Sequence, residues 1–401
     1  LWCLLALWQT EADLRIVIRR LGKLLCISVE KTVILSEKKK KIGGEIMGID
    51  IKRLPAPVRA FFNGIAQVVF IENVISGAAI FVSFFIAGLE MNGWNFGSWE
   101  SWKWVVFVAI GVNISNLVAY LIGADHDAIT SGLFGFCPNL ICMGAWTFSG
   151  MQQTPDWWTP WIVMILGCIL CPMLQITINR FAGHFGLPGF TFPFIVMTWF
   201  FCLISIYSGA LNMGRVATTA NEFSLATTIP GHNIYNGFDG WSTWGWEEWG
   251  LFFTNGFEEI YVYDGFIASV VIIAAYFWYN WQFALKACLA MAISIGMGLL
   301  FGIDMGQMLY ALCGYSAILT AGALDTFGVS KRNGGRYWFL WFFGVISTCL
   351  INYAIYPIFS TFGLPNCTFA FVLAGWIMLV VEHFMVEQAE KRAAAKAAAA
   401  A

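Results

Sequence analysis

The sequence predicts an all-α polytopic membrane protein made of two related halves, and three observations carry that prediction. Of its 401 residues, 59% are hydrophobic and only 11% charged, against roughly 25% charged in soluble domains. That much apolar surface belongs in lipid rather than water. Apolar segments of spanning length follow one another with short polar breaks between them. Finally, the stretch Gly186-Leu187-Pro188-Gly189-Phe190-Thr191-Phe192-Pro193-Phe194 returns as Gly363-Leu364-Pro365-Asn366-Cys367-Thr368-Phe369-Ala370-Phe371. Two halves with a Gly/Pro-interrupted apolar segment in the matching place point to a transport site between them.

Taken in order, the first 46 residues do not fit the rest. Leu1–Leu7 is too short to span, and the basic run Lys38–Lys41 has no structural partner. Ile42-Gly43-Gly44-Glu45-Ile46 before Met47 back-translates to a purine-rich ribosome-binding site. Met47 is therefore the expected start, residues 1–46 a translated leader or else a cytoplasmic tail, and the source a prokaryote. The first membrane half, 47–208, opens with Lys52, Arg53, Pro55 and Pro57. An amphipathic segment over 61–70 follows, with Gln67 and Phe70 near its end. Full-length segments are expected at 75–91 and 102–123. The loop Asp125-His126-Asp127 leads into an apolar run to 148, and further segments cover 160–178 and 191–208.

Residues 209–257 break the pattern with Gly, Thr, Asn and the cluster Trp241, Trp244, Trp246 and Trp249. They read as an acidic extracellular loop. The second half, 258–386, repeats the first, with segments at 266–280, 283–302, 306–324, 336–355 and 367–385. Residues 387–401, rich in Ala, Lys and Glu, form a helical cytoplasmic tail. Basic flanks at both ends place both termini in the cytoplasm of an inner membrane, and an odd number of crossings per half puts the Trp-rich loop outside.

Little else carries chemistry. The formal net charge of -2 gives no sign of a nucleic-acid partner. The 11 cysteines lie mostly inside apolar runs, and Cys168-x-x-Cys171 has no second pair or nearby His, so membrane packing explains them. Asp125, His126 and Asp127 read as helix-capping residues rather than a metal or proton site. There is no H-E-x-x-H, Gly-x-Ser-x-Gly or P-loop, so neither an enzyme nor an ATP-driven pump is supported, and no cofactor or metal is expected.

Three features together resemble the urea transporters. They are Asp127-Ala128-Ile129-x-x-Gly132-Leu133-x-Gly135-Phe136-x-x-x-Leu140, the two Leu-Pro-x-x-Thr-x-x-Phe copies, and Gln67 with its counterpart Glu259. The resemblance covers roughly residues 55–385. It implies two inverted repeats, each of five membrane helices plus a tilted pore helix, a central pore at the repeat interface, and a passive channel assembled as a homotrimer. By position it also implies a pore lined by Gln67, Phe70, Phe136, Leu140, Thr191, Phe194, Glu259, Tyr315, Leu319, Thr368 and Phe371, with the two threonines facing each other midway. The sequence departs from the family pattern where Ala370 stands for Pro193, where Ile195 and Val372 follow the last motif Phe, where Cys137 and Ser316 follow the glycine–aromatic pair, and where Tyr315 adds a hydroxyl.

The residue types suit a small, flat, neutral, polar solute. A hydroxyl both donates and accepts, and phenyl faces form flat apolar walls. Urea crossing hydrocarbon must shed hydrogen bonds to water at several kcal/mol each. Oxygens placed in a row lower that barrier, and an apolar slot excludes ions because it cannot replace their hydration. A channel for another small neutral amide or for ammonia remains an alternative, and a polytopic membrane enzyme a more distant one. Glu259, Asp304 and Asp325 leave ion coupling open.

Overall fold

The computed structural model describes residues 45–46, 49–50, 54–149, 158–209, 211, 213, 246–263, 265–303, 308, 312–328 and 334–400. The chain divides into Leu1–Pro55 and Ala56–Ala401. In the first unit, strands β1 (Glu45–Ile46) and β2 (Ile49–Asp50) pair antiparallel, with Ile46 opposite Ile49. Met47 and the rest of the expected leader lie outside the described residues, as does 214–245 of the expected loop.

The second unit is helical. Pro57 occupies the first turn of α1 (Ala56–Gln67), where a missing N–H is tolerated. The helix stops as Phe70 turns left-handed at φ 60. Side-chain caps begin α2 (Val74–Met91) at Asn73 and α3 (Trp99–Leu121) at Ser98. Asp125 Oδ2 accepts from Ala128 N at 3.0 Å and starts the short α4 (His126–Thr130). The expected loop there is thus one helical turn with Asp125 as its cap. Then come α5 (Phe136–Ser149), α6 (Trp158–Gly183) and α7 (Phe192–Ser208).

The second series is α8 (Trp246–Glu258) with a 3-10 turn at Glu259–Tyr261, then α9 (Phe266–Tyr279), α10 (Trp281–Phe301), α11 (Gly314–Phe327), α12 (Gly335–Thr361) and α13 (Phe369–Ala400). One expectation needs correction. Helix α8 takes in 246–257, which the sequence reading left to the Trp-rich loop. Its Leu251, Phe252 and Phe257 are buried, and that inward face holds it as a helix despite its glycines and tryptophans. Both motif copies turn alike, with Gly186 and Gly363 at φ 69 and 68 and Phe190 and Cys367 at φ 48 and 46.

Among the described residues, six helices are long and apolar enough to cross a membrane: α2, α3, α6, α10, α12 and α13. Helix α6 shows what such a span exposes, with Ile162, Ile165, Leu166, Leu170 and Met173 turned outward. Helices α5 and α11 differ. Each has 14 residues, about 21 Å at the helical rise, short of the ~30 Å hydrocarbon core. Only Trp146 and Thr147 of α5 and Thr326 and Phe327 of α11 escape full burial. A helix apolar all round is a core helix, and these two form the centre on which the site is built.

The halves are joined by α2 packed along α9. Ser76 Oγ donates to the Ala275 carbonyl at 3.2 Å, and the Tyr261 hydroxyl to that of Ile65 at 3.2 Å. Gly265, at the start of α9, has no side chain to cap with. Glu90, from the end of α2, supplies the cap, accepting from Ile267 N at 2.9 Å and Ala268 N at 3.1 Å.

Candidate functional site

The two motif copies meet. Thr191 and Thr368, 177 residues apart in sequence, share a hydroxyl–hydroxyl hydrogen bond of 2.5 Å. Both are almost fully buried. Each threonine follows a left-handed residue and precedes a new helix, α7 or α13. Their hydroxyls are therefore held by backbone turns rather than by the interior of a span.

The surroundings of the pair are not symmetric. Phe70, Phe190, Phe327 and Phe371 form one cluster of edge-on and tilted rings. Phe70 lies 6.0 Å from Phe190, 5.8 Å from Phe327 and 5.9 Å from Phe371. Phe190 lies 5.6 Å from Phe327 and 4.8 Å from Phe371. In the other half the matching positions of Phe70 and Phe190 are Val262 and Cys367, which share their left-handed φ but carry no ring. There the Tyr315 hydroxyl donates to the Cys367 carbonyl. The corresponding Phe190 carbonyl accepts from the Cys137 thiol, at 3.8 Å. The extra hydroxyl noted in the sequence thus grips the motif backbone.

The remaining expected site residues are placed as follows. Phe136, Leu140, Phe194, Tyr315, Leu319 and Phe371 are all buried in one apolar core, with Phe70 against its edge. Phe194 packs at Gly144 of α5 rather than in the ring cluster. Gln67 and Glu259 are half-buried. They share one register, because the Phe70 N–H donates to Gln67 O and the Val262 N–H to Glu259 O, each at 3.1 Å. Among the described residues no cluster of three or more His, Cys, Asp or Glu could hold a metal.

The backbone carries the rest. Gly132, at φ 92, leaves no room for a side chain: a Cβ there would come within 2.4 Å of the Asn63 and Gly64 backbone. A Cβ on Gly135 would lie 2.7 Å from Gly64 Cα. The glycines of the Gly132-Leu133-Phe134-Gly135 turn therefore let the start of α5 press directly on α1. A family model described as "Urea transporter" matches residues 58–383.

The chain belongs to the urea transporter family. It is similar to the proteins named urea transporter 1 of Mus musculus, Rattus norvegicus and Ovis aries. Each is 24% identical, over 319, 320 and 323 residues respectively, and each comparison covers 80% of this chain and 75% of the relative. Members of this family are transporters, so the urea transporter described here is a multi-pass membrane protein and not an enzyme.

Sequence reasoning passed over four residues of the site. Phe190 and Phe327 complete the ring cluster. Trp199 and Trp376 donate their indole N–H to the Pro365 carbonyl at 2.8 Å and the Pro188 carbonyl at 2.7 Å. The tryptophans were detectable, since each stands eight residues after its motif threonine. Phe327 was detectable in the same way, since it stands twelve residues after Tyr315 as Phe148 stands twelve after Phe136.

Proposed function

We propose that this transporter is a passive channel for urea, with its path running between the two motif loops. The observation that carries this is the Thr191–Thr368 hydroxyl pair, buried between the halves, with Phe190 and Phe371 of the same two motif copies packed in the four-ring cluster. Without a solute one hydroxyl donates to the other. Urea, planar and uncharged, would replace that bond as it passes, accepting at its carbonyl from one hydroxyl or donating from an amino group to the other. Exchange of one bond for another keeps binding weak enough for release.

On this reading α1–α7 and α8–α13 are two inverted repeats, with α1 and α8 as the tilted pore helices. The matched left-handed stops at Phe70 and Val262 support that pairing. Carbonyls at the ends of these helices already accept one bond each, as at Ile65 and Gln67. A carbonyl oxygen has two lone pairs, so such groups can still offer a row of acceptors. Gln67 and Glu259 would extend that row at the two helix ends. Phe136, Leu140, Tyr315 and Leu319 would wall the midpoint, with Phe194 and Phe371 behind the motif turns. Both termini would be cytoplasmic, the stretch 209–245 extracellular, and the assembly a homotrimer with one path per subunit.

Stopped-flow light scattering on proteoliposomes tests this, comparing urea, formamide, acetamide and ammonia. Urea should equilibrate well above the rate of protein-free vesicles. A rate no greater than theirs would remove the proposal, and faster passage of ammonia or another amide would reassign the solute.

A further inference from the structure

We propose that Trp199 and Trp376 are positioning residues that set the width of the path, and so exclude solutes slightly larger than urea; this rests on the channel reading above. Neither residue belongs to the repeated motif, and both reach across from one half to the motif loop of the other. Trp199 Nε1 on α7 donates to Pro365 O at 2.8 Å, and Trp376 Nε1 on α13 donates to Pro188 O at 2.7 Å. Each proline stands three residues before its motif threonine.

These bonds close a ring. From Thr191 the chain runs back to Pro188, whose carbonyl holds Trp376. Two helical turns back from Trp376 is Thr368, whose own loop begins at Pro365 and is held by Trp199. Trp199 lies two turns beyond Thr191, and the Thr191–Thr368 bond crosses the middle. An indole has one donor and no acceptor, so each ring has a single polar attachment and a fixed direction of pull. The rings are wedged as well. Trp199 lies 4.8 Å from Phe359 and 5.5 Å from Phe369, and Trp376 lies 5.4 Å from Phe192. Each loop is also tied within its own half, by Gly189 N to Asn179 Oδ1 at 3.1 Å and by Asn366 Nδ2 to Asn352 Oδ1 at 2.5 Å. Separating the threonines to admit a wider solute would strain both straps at once.

The test measures urea and N-methylurea permeability of proteoliposomes holding the wild type, Trp199→Phe, Trp376→Phe and the double variant. Phenylalanine keeps an aromatic wedge and deletes the donor. The N-methylurea to urea ratio should rise about fivefold for each single change, as expected from loss of one neutral hydrogen bond, and further in the double variant. If either protein fails to fold, β-(3-benzothienyl)alanine at the same position keeps the shape of the indole without its N–H, and the same rise is expected. A strap that merely supports the fold would lower both fluxes together. An unchanged ratio in variants that still conduct urea would overturn the straps alone. Wild-type urea flux equal to that of empty vesicles would overturn the channel reading and the straps with it.

Discussion

The Thr191–Thr368 hydroxyl pair joins the two halves, whereas the Thr320–Thr348 hydroxyl pair, 2.7 Å apart, lies within the second half. Thr177, Thr326 and Thr361 all donate to the carbonyl four residues earlier in their own helix, the usual resting place of a hydroxyl in a span. The two motif threonines bond each other across the halves. Converting both to valine removes the polar exchange partner and leaves similar volume. Urea flux should fall about five- to thirtyfold, the equivalent of about 1–2 kcal/mol of barrier, with the thermal unfolding midpoint nearly unchanged. At Asp325 the expectation is reversed. Its Oδ1 accepts from Lys286 Nζ at 2.5 Å and the Tyr337 hydroxyl at 2.8 Å, in a setting almost closed to solvent. Asp325→Ala strands a buried ammonium and should destabilise the fold by about 3–5 kcal/mol, read as a large drop in the unfolding midpoint in detergent. The sequence made the threonines visible because they repeat. It left Lys286–Asp325 unread because its members lie on different helices and only packing brings them together.

Helices in this molecule end where special residues make them end, and most of those endings could be read in advance. Gly363 and Pro365 announce the break before α13 as clearly as Gly186 and Pro188 announce the one before α7, even though Ala370 replaces Pro193. Helix α8 was hidden because its buried face is interrupted by Gly250 and Gly256 and its start lies among tryptophans. The Glu90 cap was hidden for another reason: donor and acceptor are 177 and 178 residues apart. Glu90→Ala removes the cap of α9 and should cost about 1–2 kcal/mol, measured as a lower unfolding midpoint, while Glu90→Gln should recover part of it. Gly132→Ala tests the close approach of α5 to α1. With a left-handed φ of 92 and backbone 2.4 Å from the added Cβ, the two elements must separate. A loss of several kcal/mol is expected, seen as loss of monodisperse protein or of flux.

On the scale of the whole molecule, the helical membrane-spanning class was legible from composition, and the meeting of Thr191 with Thr368 from a single duplicated motif. The asymmetry between the halves was not. Phe70 against Val262 and Phe190 against Cys367 are ordinary differences on paper, and become one ring cluster only when Phe327 and Phe371 arrive from elsewhere. A channel that needs no energy input predicts that urea flux is unaffected by a protonophore or by collapse of a sodium gradient across the vesicle. A flux that falls in either test would reassign it to ion-coupled transport. The crossed tryptophan bonds bear on ancestry. Each half lends the other the same donor at the same offset and receives the same acceptor in return, which is the contact pattern of a two-fold symmetric pair of identical chains. A single half-length gene product could have closed such a dimer by itself. Fusion would then have freed one copy to acquire phenylalanines where the other kept small residues, a divergence that identical subunits could never have afforded.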